Sequence, residues 1–203
     1  NQLTTIDILG EHTQNREESL GIIANYINLL EKINTRNLNC NLSIKPSHIG
    51  SDINYNMVFD NFKSILKTAS QFNNFIRIDM ESSKLTDITI KLYNDLHPIS
   101  SNIGIVFQAY LHRTENDINN LNKHSNIRLC KGIYKESSDI AYQDYEEINK
   151  NYLKLLELAF KKEIYVGIAT HDKQLIHSSM DLINKLGIDN NMFEFQYLYG
   201  VPM

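Results

Sequence analysis

Lys45, Arg128 and Lys131 each stand at or near the end of a short apolar run, the first in LSIKPS and the other two in IRLCKG. Cations in such places suit a phosphate or carboxylate, because they bring fixed charge and several donors to one spot. Other runs end alike. Asp79 and Glu81 close FIRIDMES, and Gln108 closes a run continued by Tyr110, His112 and Arg113. Tyr134 follows Lys131, Thr170, His171 and Asp172 end YVGIATHD, and Glu194 and Gln196 lie in FEFQYLYG. Burying such groups without partners would cost roughly 1 to 3 kcal/mol each, so they must pair with one another or with a ligand. For any single residue a structural ion pair, such as Asp79 with Arg128, is the plainer reading. Successive run ends carrying ionisable or amide groups point further, to a ligand with anionic parts and a polar heterocycle that Gln108 and Gln196 would read.

The elements that must position these groups alternate regularly. Apolar runs begin at Thr5, Leu42, Phe75, Ile103, Ile127, Tyr165 and Phe193, and each reads as a buried strand. Between them, Leu20, Ile23, Ile27 and Leu30, then Val58, Phe62, Ile65 and Ala69, then Leu85, Ile88 and Leu92, then Ala141, Tyr145, Ile148, Tyr152 and Leu155 recur at helical spacing. Thr114, with Asp117 three residues on, reads as an N-terminal helix cap. Strands recur roughly every 24 to 38 residues, the repeat of βα units with a parallel sheet. Such alternation fits an open doubly wound sheet or a closed barrel. LGEHTQN after the first run offers only Gly10, not the glycine-rich turn of a dinucleotide fold. A (βα)8 barrel of the TIM type, cut off after about its seventh strand, is the economical reading, with residues 1–203 as a single incomplete domain. In a barrel, chemistry gathers at the carboxyl ends of the strands, where the polar residues above stand.

Composition narrows the class. The chain has 203 residues, 42% hydrophobic and 22% charged, and a formal net charge of −4 with its signs interspersed. That is no nucleic-acid footprint, and no apolar run is long enough to cross a bilayer. Cys40 and Cys130 are too few and too far apart for a disulfide framework, which favours a reducing, cytoplasmic setting. A metal at His171 is disfavoured because no second histidine stands at ligand spacing, and His177 is placed on a solvated helix face. Abundant Asn, Ile and Lys suggest an AT-rich bacterial genome.

LSIKPSHIG, FIRIDMESS, VFQAYLHRTENDI, RLCKGIYKE, YVGIATHD and FEFQYLYGV together resemble the proline dehydrogenase family, including the barrel domain of bifunctional proline-utilisation enzymes. Six collinear strings are far more specific than any one. The resemblance implies FAD at the carboxyl end of a barrel, oxidation of L-proline to pyrroline-5-carboxylate, and electrons leaving to a membrane quinone with peripheral contact at the inner membrane face. It puts Gln108 and Arg128 beside the isoalloxazine ring, with Arg128 donating toward the reactive flavin nitrogen. Met80, Cys130, Lys131, Gly132 and Gln196 would line the cofactor, and Thr170 and His171 would hold its adenosine and pyrophosphate part. Lys45 would pair with the proline carboxylate, Tyr134 and Leu198 would wall the ring, and Asp79 would organise the site from below. The family's paired arginines of the final helix have no counterpart before Met203, so weak proline binding is expected of the chain as it stands.

Two other classes remain open on the residues alone. Lys45 or Lys131 could form a Schiff base in a barrel aldolase. The chain could also be a barrel-derived binding module without catalysis.

Overall fold

The computed structural model describes residues 3–201. The chain ends, on which the truncation reading bears, lie outside that range. The chain forms two compact units, Asn1–Ile105 and Val106–Met203.

In the first unit, β1 (Thr4–Ile6), α1 (Arg16–Thr35), β2 (Cys40–Ile44), α2 (Tyr55–Gln71), β3 (Ile76–Ile78) and α3 (Thr86–Leu96) lead to β4 (Ile103–Gln108). The strands are parallel and neighbours in chain order, with Thr5 opposite Asn41, Leu42 opposite Ile76 and Ile76 opposite Ile103. Because successive side chains of a strand alternate faces, one sheet face carries Leu42, Ile44, Ile76 and Ile78, all fully buried. Burying each contributes about 1.5 to 3 kcal/mol. The other face carries Thr5, Asn41, Ser43 and Arg77, and the same parity continues into Asp7, Lys45 and Asp79. α1 and α2 start where Asn15 and Asn54 accept from the backbone N–H groups of Glu18 and Met57.

In the second unit, the end of β4 is followed by α4 (Thr114–Asn119), β5 (Asn126–Cys130), α5 (Tyr145–Lys161), β6 (Tyr165–Ala169), α6 (Lys173–Leu186) and β7 (Phe193–Gln196). Arg128 stands opposite Gly167, Gly167 opposite Glu194, and Ala169 opposite Gln196. Ile127, Leu129, Val166 and Ile168 are buried on one face, leaving Arg128, Cys130, Gly167 and Gln196 to the other. Asp144 and Asp172 cap α5 and α6.

The sheet runs β1 to β7 without a break in chain order. A doubly wound sheet reverses its strand order at a switch point, and this one does not, so the barrel-type α/β class is the one observed. All seven expected strands are present.

Helix faces were less legible. α1 buries Ser19, Ile23, Tyr26, Leu30 and Ile33, so the expected stripe is corrected: Leu20 is half exposed and Ile27 only partly covered. α3 likewise buries Thr86, Thr89, Leu92, Tyr93 and Leu96, with Leu85 and Ile88 only partly covered. Ala141 lies before α5, in a bridge to Leu111, and Tyr145 is exposed. Thr114 is not a cap: its hydroxyl donates to the Gln108 carbonyl at 2.7 Å, and Asp117 pairs instead with Arg113. α6, which buries Leu175, Ser179 and Ile183, was not singled out from the sequence.

Candidate functional site

Just past the strand ends of the first unit, acidic side chains gather near Lys45. Lys45 Nζ donates to Asp7 Oδ2 at 2.7 Å, and both side chains are mostly covered, at 17% and 26% exposure. Burial pulls Lys45 down, but the hydrogen bond and charge of Asp7, aided by Asp79 and Glu11, outweigh it, so its pKa is raised. Burial also raises Asp7 against the pull of Lys45. The His48 ring lies so close over Gly10 that a Cβ there would stand 2.2 Å from Nε2. Burial lowers the His48 pKa, so the ring is neutral at neutral pH. Glu81, 1% exposed, accepts from the Ser47 backbone N–H at 2.9 Å and from its hydroxyl, holding the turn Pro46–Ile49 that follows Lys45. Asp79 donates its backbone N–H to the Ile44 carbonyl at 2.9 Å, and Met80 beside it is 7% exposed.

The second unit places more of the expected residues together. Arg128 Nε donates to Gln196 Oε1 at 2.6 Å, and Gln196 Nε2 donates in turn to Glu194. Gln196 belongs to β7 and Arg128 to β5, with β6 between them. The contact is possible because β6 carries Gly167 there: a Cβ would come within 2.7 Å of Gln196 Nε2. Gln108 is 2% exposed at the end of β4. Cys130, a free thiol, donates weakly to the Phe107 carbonyl at 3.5 Å.

Gly132 has φ 117°, and a Cβ on it would stand 2.2 Å from Tyr110 Cδ1. The close approach that this glycine permits is made by the Tyr110 ring. Gly132→Ala combines a left-handed backbone with a clash into a side chain only 6% exposed. It is expected to destabilise by about 2 to 4 kcal/mol, read as a lower urea midpoint at unchanged m-value.

Asp172 is the hub of this unit. It accepts from Lys131 Nζ at 2.6 Å, from the Tyr145 hydroxyl, from Asn149 Nδ2 at 3.0 Å, and from the backbone N–H groups of Gln174 and Leu175. Burial alone would raise its pKa, but Lys131, Tyr145 and the other donors hold the carboxyl well below the usual range. Lys131 also lies 3.9 Å over the Tyr145 ring. Thr170 Oγ1 accepts from the Asp172 backbone N–H at 3.1 Å. His171 Nε2 accepts from the Leu198 backbone N–H at 2.9 Å, which leaves the ring proton on Nδ1, buried and without a partner. Tyr134 is partly covered, whereas Leu198 is 69% exposed. His177 is exposed on α6.

Asp7 was not singled out from the sequence, and Tyr145 and Asn149 were not assigned to the site. Asp7 follows the first run in TIDILG and was the available signal; the other two sit on α5 among ordinary polar residues. Hollows of about 390 Å³, at Leu153, Glu157 and Leu182, and about 320 Å³, at Asn37, Asn41 and Asn74, contain none of the expected site residues. Among the described residues no group of His, Cys, Asp or Glu is arranged to hold a metal, and no helix is long and apolar enough to cross a membrane.

Sequential βα units with ionisable groups at the strand tips define a barrel-type α/β enzyme scaffold. A sequence profile described as proline dehydrogenase matches residues 1–202, and the chain belongs to that family. Proline dehydrogenase 2 of Bacillus subtilis is 34% identical over 198 residues, which cover 97% of this chain and 65% of that protein. The proline dehydrogenase of Deinococcus radiodurans is 30% identical over 202 residues, with 97% and 65% covered. The chain thus spans just under two thirds of these relatives. Among solved structures, proline utilization A from Bdellovibrio bacteriovorus, inactivated by N-propargylglycine, superposes with a TM-score of 0.89 at 21% identity, covering 98% of this chain and 26% of that one. Proline utilization A from Corynebacterium freiburgense gives 0.84 at 23% identity, covering 98% and 24%. At these identities the two likenesses establish the fold.

Proposed function

We propose that this protein oxidises L-proline to pyrroline-5-carboxylate with FAD as hydride acceptor, and that electrons then pass to a membrane quinone. Family membership supports proline as substrate. The observation that carries the cofactor is the buried, unpaired Nδ1 proton of His171, beside Thr170 and close in sequence to the Asp172 hub. A buried donor without an acceptor fits an anionic oxygen of a pyrophosphate.

In this reading Gln108, Arg128 and Gln196 hold the isoalloxazine ring, with Met80, Cys130, Lys131 and Gly132 lining it, and Thr170 and His171 hold the adenosine and pyrophosphate. The flavin, when bound, accepts the hydride. The protein's own contribution is orientation and charge. Gln196 fixes the plane of the Arg128 guanidinium, so its charge is held ready where negative charge develops on reduction. Lys45 offers a cation to the substrate carboxylate, Tyr134 and Leu198 wall the ring, and Asp79 supports Lys45 through its charge.

The Schiff-base alternative loses ground at Lys45, whose amine is engaged by Asp7 Oδ2 at 2.7 Å in an ion pair that favours the protonated over the nucleophilic form. Purified full-length protein is expected to be yellow with bound FAD and to bleach when L-proline is added without oxygen. A colourless protein that takes up no FAD, or a yellow one that proline does not bleach, counts against the assignment.

A further inference from the structure

We propose that Asp7 is a positioning residue for substrate binding: its carboxylate anchors the Lys45 ammonium so that the remaining N–H donors are aimed and charged before proline arrives. This deepens the proposed function and rests on it for the identity of the substrate.

The pairing follows from strand parity. Thr5 lies opposite Asn41, so Asp7, two residues on, points to the face shared by Asn41, Ser43 and Lys45. The geometry is that of a strong charge-assisted hydrogen bond, at 2.7 Å. Asp7 has no other evident task. Among the described residues Lys45 is the hydrogen-bond partner of its carboxylate, and Oδ1 is buried without one. A mostly covered carboxylate with one oxygen unsatisfied costs stability, as expected of a group kept for function rather than packing.

The benefit lies in Lys45. A lysine stem has four rotatable bonds, and fixing it on binding would weaken affinity. An anchor already in place removes that cost from the binding step. The groups acting electrostatically on the pair are Asp79, Glu11, His48 and Tyr26; Asp79 and Glu11 reinforce the lysine's charge, burial lowers the His48 pKa, and burial raises that of Tyr26 so that its hydroxyl stays uncharged. Removing Asp7 leaves burial, which pulls Lys45 down, with less to oppose it.

Asp7→Asn retains the size and one acceptor oxygen while removing the charge, and Asp7→Ala removes both. The pH dependence of Lys45 labelling by an amine reagent, followed by mass spectrometry, should move to lower pH in Asp7→Asn. This readout needs neither flavin nor proline. In proline oxidation by the full-length protein, KM should rise about 10-fold in Asp7→Ala and less in Asp7→Asn. The rise in KM should exceed any fall in kcat, and the basic limb of kcat/KM should shift down in pH along with the labelling. Circular dichroism and urea melts confirm that the variants are folded, and a misfolded Asp7→Ala leaves Asp7→Asn to decide. An unchanged labelling profile overturns the proposal, as does a shifted profile with unchanged KM. If the wild-type protein oxidises no proline at all, the proposed function fails first, and the labelling result still shows whether Asp7 controls Lys45.

Discussion

In the proposed reaction, replacing Arg128 by methionine should lower the rate at which proline reduces the flavin by about 100-fold, the loss typical when one preorganised donor to a developing negative charge is removed. Methionine keeps much of the side chain's bulk, so packing against Gln196 and Gly167 changes little while the charge and the planar donors go. Arg128→Lys should recover only part of the rate. Its ammonium restores the charge, but it lacks the Nε–H that holds Gln196 at 2.6 Å and the fork that fixes direction. Anaerobic stopped-flow bleaching at saturating proline separates this from substrate affinity. A rate within about threefold of wild type in a flavin-loaded, folded Arg128→Met protein would refute the role assigned to Arg128.

Asp172→Ala should destabilise the protein by about 2 to 4 kcal/mol. Two losses combine. The N-cap of α6 disappears, which typically costs about 1 kcal/mol, and Lys131, 22% exposed, loses its carboxylate along with the anchor for Tyr145 and Asn149. Asp172→Asn separates them, because asparagine caps as well as aspartate but carries no charge, so it should recover roughly the capping share. The pH dependence has a definite sign. The carboxyl is depressed in the folded state, so its stabilisation is complete above the unfolded value of about 3.9 and is lost as pH falls through the lower folded value. Wild type should therefore lose stability below about pH 4 more steeply than Asp172→Asn. Urea unfolding between about pH 2.5 and 7 tests this, and parallel curves for the two proteins would contradict the account.

The seven strands were legible because each is a short run rich in Ile, Val, Phe and Leu, bounded by turn-forming residues. The helix faces were not. In α1 the covered positions include Ser19 and Tyr26, whereas Leu20 is half exposed, so a rule that counts aliphatic residues turns the helix by part of a turn. Thr114 misled for a related reason: its hydroxyl found a carbonyl at the end of β4 before it could cap its own helix.

The strand-tip polar row was visible in the sequence because alternation places Lys45, Asp79, Arg128 and Gln196 on known sides of known strands. The pairings among them were not visible. The Arg128 Nε donates to Gln196 Oε1, a partner that reaches across a whole strand. That crossing depends on a missing Cβ at Gly167, a fact about space rather than residue type.

The amino-acid order by itself determined the class of fold and the family, because period, length and collinear motifs are local properties of the chain. Only the tertiary structure decided which group answers which: Asp7 for Lys45, Asp172 for Lys131, Gln196 for the Arg128 Nε. Those contacts join residues 38, 41 and 68 positions apart, and hydrogen-bond energies that depend on tenths of an ångström cannot be read from a one-dimensional string.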